Sequence, residues 1–196
     1  MTLLSNALTT VDAVKEYLKI PLDNTGDDSR IEGLINACSA SIENYCQRSF
    51  KKQQYVDEEY DGNNYKYINL LNYPVVSVDS VTLNDTLLTT DQYTVKKKPG
   101  ILVRKYTGID VDYYYRWHNA FWPQGDGNIL VTYTAGYDVI PADLEQSCIL
   151  YVMSFYKSDL ANFSTQFADG FVFKQDAIPV QVKLMLQPYV RVDNIG

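Results

Sequence analysis

A strand-forming run that meets a Gly- and Pro-punctuated turn, and then a helical stripe, leaves a chain few ways to fold. In this 196-residue sequence the run is Gly127-Asn128-Ile129-Leu130-Val131-Thr132-Tyr133-Thr134-Ala135-Gly136-Tyr137. It continues through Pro141 into an apolar-periodic segment from Leu144 to Tyr156. Val, Thr and Tyr favour the pleated surface of a sheet. Gly136 supplies backbone angles that a β-branched residue does not adopt. Pro141 suits a first helical turn, where its missing N–H costs little. The segment reads as a strand–turn–helix junction. Its structural residues are Gly127, Tyr133, Gly136, Tyr137, Pro141 and Leu144. No acid, base or nucleophile sits at its centre, so it holds a shape.

The two ends of the chain read as helical. Residues 9–20 form a short helix capped by Thr9 or Thr10, with Val11, Val14, Tyr17 and Leu18 on one face. Ile20-Pro21 ends it. Residues 28–48 form a longer helix with Ile31, Leu34, Ile35, Cys38, Ile42, Tyr45 and Cys46 in one stripe. Asp27 and Asp28 suit its positive end, and Arg48 its negative end. Near the C-terminus a helix from about 141 ends between Tyr156 and Asp159. The stretch Asn162 to Lys174 reads as a loop or a hairpin. Ile178-Pro179 opens a last short helix through Leu184, Met185, Leu186 and Tyr189, with Pro188 making its final turn irregular.

The middle changes character. Segments 54–60, 65–71, 75–83, 92–95, 101–106 and 128–134 are strand-like, and Gly, Pro and Asn clusters separate them. The spacers are too short for helical crossovers, so the pairing is antiparallel. Imperfect alternation of Val76, Val78 and Val81 points to a turn or bulge there. The fold class is α+β: a small helical bundle of about four helices with an inserted antiparallel, hairpin-rich β region. Residues 1–51 give the first part of the helical core and 52–134 the insert. Residues 135–196 give the second part, with a loop near 157–177 and a C-terminal helix.

Composition narrows function. Net charge is −7, from 17 basic and 24 acidic residues. That disfavours sequence-independent nucleic-acid binding, which needs cations to displace counterions. No apolar run reaches the ~18 residues of a membrane span. Met1 to Leu8 lacks the pattern of a signal peptide, which places the chain in the cytoplasm where it is made. Cys38, Cys46 and Cys148 sit on apolar helical faces and read as core thiols. Cys38 and Cys46 stand about 12 Å apart along a helix, beyond disulfide reach. The 17 tyrosines suit a protein that buries surface against neighbours, and also suit packed sheet faces.

Chemistry is scarce. His118 is the single histidine, and no metal-ligand spacing surrounds it or Asp110 and Asp112. Asp57, Glu58, Glu59 and Asp61 cluster on one strand. Simple alternation would put Asp57 and Glu59 on one face, as in a carbohydrate hydrolase, but a solvated sheet edge is the preferred reading. Asp23 to Asp28 lacks the ligand spacing of a calcium loop and reads as a turn. Lys96-Lys97-Lys98 is one positive hairpin tip, able to touch a phosphate or an acidic partner and too short for a nucleic-acid surface. Gly125, Gly127 and Gly136 do not form a phosphate loop. No catalytic, metal or cofactor residue is assigned, and no cofactor is expected. Aromatic residues remain as interface candidates: Tyr113, Tyr114, Trp117, Phe121 and Trp122 in the 110–122 patch, then Phe163, Phe167, Phe171, Met185 and Tyr189. The 110–122 patch either docks a partner or folds over the sheet.

The order helix, helix, stranded insert, strand–turn–helix, helix resembles the head-tail connector (adaptor, head-completion) proteins of tailed bacteriophages. The residues that carry the resemblance are Val11 to Leu18, Asp28 through Ile42-Glu43-Asn44-Tyr45-Cys46, Gly127 to Tyr137 with Pro141, Asp143 and Leu144, and Ile178 to Leu186 with Tyr189. It covers 9–50 and 127–190 best, and 52–125 is longer than in compact members. The resemblance implies a structural, non-enzymatic virion protein. It implies a ring of about twelve copies in head-to-tail contact, monomeric before assembly. The ring would sit beneath the portal protein, extend the DNA channel without sequence-specific binding, and dock a tail-completion or head-closure protein. The 28–48 and 141–156 helices would build the core, with 157–177 and the C-terminal helix toward the portal. Host cytoplasm during assembly and the virion afterwards would be its locations, with no membrane partner. The competing readings are another neck or tail-completion component, a generic interaction module, and the hydrolase using Asp57 and Glu59.

Overall fold

The computed structural model describes residues 2–105, 120–165 and 178–191. It divides into two compact units, one of residues 1–51 and 139–196 and one of residues 52–138.

The first unit is helical. Its elements are α1 (Val11–Leu18), α2 (Asp28–Cys46), α3 (Ala142–Thr165) and α4 (Val180–Leu186), the last followed by a 3-10 turn at Gln187–Tyr189. α1 starts where the Thr10 hydroxyl accepts the Ala13 N–H at 3.2 Å, which satisfies one orphan donor of the first turn. It stops at Lys19, which is left-handed at φ 59°. The Lys19 and Ile20 N–H groups fold back onto the Glu16 and Lys15 carbonyls at 3.2 and 2.9 Å. α2 stops the same way. Gln47 takes φ 54°, and the Gln47 and Arg48 N–H groups reach the Asn44 and Glu43 carbonyls at 3.3 and 3.2 Å. Both ends are Schellman motifs built without glycine, so α2 finishes two residues before the expected Arg48. Arg48 is buried instead, with its guanidinium 5.1 Å from the Phe50 ring centroid.

The α2 stripe centres on Ile31, Ile35, Cys38, Ile42 and Cys46, all fully buried, while Leu34 is half-buried. α2 packs on α3, α1 on both, and α4 on α3. Two polar contacts pin the start of α2. Lys15, itself buried, reaches Asp28 at 2.5 Å, and the Tyr156 hydroxyl donates to Asp27 at 2.9 Å. The three cysteines are free and buried. Burial pushes the Cys46 thiol up to about 11, so it stays protonated and packs as a hydrophobe.

α3 corrects the sequence reading. It runs on through 157–165, where the residue pattern suggests a loop. No Gly or Pro stands between Ala142 and Gly170, so nothing breaks the backbone ladder, and polar residues alone do not end a helix.

Among the described residues every strand pair of the second unit is antiparallel. A four-stranded sheet has the order β1 (Gln53–Gly62), β7 (Gly125–Ala135), β3 (Val75–Leu83), β4 (Thr86–Leu87). A three-stranded sheet has the order β2 (Tyr67–Asn69), β6 (Ile101–Arg104), β5 (Tyr93–Lys96). β7 alternates strictly, burying Ile129, Val131, Tyr133 and Ala135. These meet Val81, Tyr60 and Trp122, with Ile68, Leu70, Tyr93 and Leu102 from around the smaller sheet, in one core. The irregularity expected near Val76 to Val81 is present as register shifts between Val75 and Ser77 and between Val78 and Ser80. β1 extends through Gly62, beyond its expected end, where it pairs with Gly125 and passes so close to Pro123 that a Cβ would stand 1.7 Å from the carbonyl oxygen.

Ile35→Ala removes a fully buried side chain from the middle of the α2 stripe. It should lower the unfolding free energy by about 2–5 kcal/mol, read as a reduced urea midpoint. An unchanged midpoint would show that the stripe is not the centre of the helical core.

Candidate assembly surfaces

The junction follows from local backbone chemistry. β7 ends at Ala135, and Gly136 takes φ 111°, a region that disfavours side chains. Its N–H donates to the Pro74 carbonyl at 2.9 Å, so the turn is fixed from both sides. The Tyr137 carbonyl accepts the Lys52 N–H at 3.1 Å. Past it, Pro141 directly precedes α3 and its carbonyl accepts the Glu145 N–H at 2.9 Å. Leu144 is fully buried. Gly127 also has a positive φ, 56°, and its N–H donates to the Asp61 carboxylate at 2.6 Å.

Behind this segment lies a cluster that simple alternation does not foresee. Asp57 adopts φ 49° where the β1–β7 register slips between Tyr55 and Glu58. A bulge inserts one residue and reverses the facing of the residues beyond it. Glu58 rather than Asp57 or Glu59 is therefore the half-buried carboxylate, while those two are exposed. The Glu58 carboxylate accepts from the Tyr133 hydroxyl at 2.5 Å and from the Tyr60 hydroxyl. The two phenol oxygens in turn accept backbone N–H groups, Leu71 at 2.9 Å on Tyr60 and Asn72 at 3.3 Å on Tyr133. The cluster thus ties the β2–β3 connection to the large sheet. Burial first, and then donation to Glu58, raises both phenols well above the ordinary tyrosine range. Asp57 and Glu59, the pair of the competing hydrolase reading, are both exposed, as on a solvated edge, and Asp57 accepts from the Thr132 hydroxyl at 3.0 Å on the bulge.

The interface candidates separate. Trp122 is fully buried, with the Arg104 guanidinium 5.7 Å from its ring centroid. It is a core residue of the β unit rather than a docking residue, because its backbone pairs with Asn64 and Tyr65 and draws the indole inward. Phe121 is half-buried. Tyr189 sets its ring edge-on to Phe50 at 5.8 Å and donates to Asp143 at 2.6 Å, which ties the 3-10 turn to the start of α3. Met185 is half-buried. Tyr113, Tyr114, Trp117, His118, Phe167 and Phe171 lie outside the described residues, as does the side chain of Phe163. The most exposed apolar side chains include ones the aromatic search passed over. Val180 and Leu184 are exposed by 72% and 63% and stand one turn apart on α4. Val56, Tyr65 and Tyr67 are exposed in the β unit. Among the described residues no group of three or more His, Cys, Asp or Glu could hold a metal. No described helix is long and apolar enough to cross a membrane.

A family model described as head completion protein matches residues 7–192. The chain belongs to the head completion protein family. Its role is accordingly structural and non-catalytic, in head completion. No curated protein matches it. Three solved structures share the fold along its whole length. A chain from the neck of an empty GTA particle computed with C6 symmetry gives TM-score 0.58 at 15% identity, over 100% of this chain and 96% of that one. One from the neck of a native GTA particle computed with C12 symmetry gives 0.56 at 16% identity with the same coverage. One from the virion of a native gene transfer agent (GTA) particle gives 0.57 at 16%, again with the same coverage. In this head completion protein the long insert is thus part of a shared fold.

Two measurements probe the junction and the cluster. Gly136→Val forces a β-branched residue into a positive φ and should cost about 1–3 kcal/mol, seen as a lower melting temperature. An unaltered melt would show the turn is not constrained. Tyr60→Phe removes one donor to Glu58 and the acceptor for Leu71, at a cost of about 1–3 kcal/mol near neutral pH. Because the folded phenols titrate above the unfolded value, their contribution is complete below about pH 10 and is lost as pH climbs beyond it. The variant should lose less stability than the parent over that alkaline range. Parallel curves would exclude the cluster as the cause.

Proposed function

We propose that this head completion protein forms a ring of twelve copies, the symmetry with which one of the similar necks was computed, against the portal of a filled head. In that position it extends the DNA channel and presents a surface to a tail-completion or head-closure protein. The observation that carries this reading is the full-length likeness to neck subunits together with the family match.

The physical features are consistent with that role. A ring of identical copies needs two different complementary patches per subunit. The net charge of −7 suits a channel that lets phosphates pass without holding them. The 157–177 segment and α4 are the portal-facing parts in this reading. Val180 and Leu184 give α4 an exposed apolar turn to bury there, worth several kcal/mol if fully covered. The protein is made in the host cytoplasm, stays monomeric until the portal templates the ring, and ends in the virion. DNA and membranes are not specific partners.

Purified protein mixed with portal-bearing, DNA-filled heads should add a ring of density beneath the portal in electron micrographs. Heads that gain no density would overturn the proposal.

A further inference from the structure

The two sheets of the β unit share one core but divide the charge between them. Strands β1, β3, β4 and β7 carry Asp57, Glu58, Glu59, Asp61, Asp79 and Asp126, and no Lys, Arg or His. All of these acids except Glu58 are exposed. Strands β2, β5 and β6 carry Lys96 and Arg104 and no Asp or Glu. Lys66, Lys97, Lys98 and Lys105 flank them and are exposed, beside one exposed acid, Asp91, while the lysine next to β1, Lys52, is paired with Asp138 at 3.0 Å. At the hairpin tip the Lys96 ammonium lies 5.3 Å from the Tyr67 ring centroid, and Lys97 donates to the Val76 carbonyl at 2.6 Å. The tip is therefore held in place and presents its charge on a fixed support.

β1 is an edge strand. Among the described residues it pairs with β7 alone. Val56 stands 66% exposed on it, and the bulge at Asp57 twists its outer side. Bulges and acidic side chains oppose strand-on-strand addition, so a partner meets this edge through side chains. The like charges on β1 repel one another on a strand that carries no Lys, Arg or His of its own, and a cationic partner relieves that repulsion.

Resting on the ring reading, we propose that the acidic edge of β1 in one copy receives the Lys96–Lys98 hairpin of the next copy. One subunit then carries both halves of a head-to-tail contact, the arrangement that closes a ring. Complementary charge sets the register and suppresses face-to-face pairing of like patches. The exposed Val56 adds an apolar centre. The other occupant for the lysines is DNA phosphate. Three adjacent lysines on an acidic protein make a weak nucleic-acid surface, whereas the acidic sheet on the same unit is a matching partner.

The test is a charge exchange scored as ring density on portal-bearing heads. One variant carries Lys96→Glu and Lys98→Glu, the other Glu59→Lys and Asp126→Lys. All four positions are exposed, and thermal melts close to the parent's establish that each variant folds. Each variant alone should lose the ring. An equal mixture should restore it, because acidic hairpins then meet basic edges and basic hairpins meet acidic edges. Rings of parental occupancy from either variant alone, or no recovery in the mixture, would overturn the contact. Rings from the hairpin variant on heads that leak DNA would assign the lysines to phosphate and also overturn it. Absence of rings with the parent protein would instead remove the ring reading, and this contact with it.

Discussion

The β unit depends on β7 being hydrogen-bonded on both sides. β1 lies along one edge of it and β3 along the other, and both run antiparallel to it. Its alternation sends Ile129, Val131, Tyr133 and Ala135 into a core to which the smaller sheet also contributes. A one-residue slip of such a strand would turn every one of those side chains outward. The register is fixed by more than apolar pattern. Tyr133 is held by Glu58, which in turn is aimed by the bulge at Asp57. A carboxylate that accepts two phenols, each accepting a backbone N–H, leaves few polar groups unmatched in a buried place. Its effect is to specify one arrangement, since burying the carboxylate is itself costly.

The helical unit rests on a different logic. One apolar stripe on α2 faces α3, and the short helices complete the cover. Its chain ends are marked by left-handed Lys19 and Gln47 rather than by glycine. Such positions cost some backbone energy and are retained because they turn the chain sharply while satisfying the last carbonyls. α4 is covered on one side only, through Val182 and Leu186, and leaves Val180 and Leu184 in solvent.

A head completion protein works through the surfaces it presents. Strength comes from shape, and specificity from which surfaces meet. Charge segregation within the β unit gives the proposed contact its chemistry: an acidic strand edge and a basic hairpin on one subunit are the two unlike patches that a head-to-tail ring needs.

The residues alone determined the helix–strand–helix order, the antiparallel middle, the α2 stripe and the junction at Gly136 to Pro141. Each of these is set by local periodicity or by a residue with restricted backbone angles, and neither needs knowledge of distant neighbours. The strand ends, the run of α3 to Thr165 and the αL caps were not legible, because Lys, Gln and Asp carry no strong signal for a positive φ. The fate of the surface residues was decided only by tertiary structure. Trp122 reads equally as a docking residue or as cover for the sheet and is core, because pairing with Asn64 and Tyr65 draws it inward. Glu58 reads like a solvated edge and is a half-buried acceptor, because one inserted residue at Asp57 changes which side chain faces Tyr60 and Tyr133. Spacing states which residues can share a face, while only the register of the pairing strand decides which face that is.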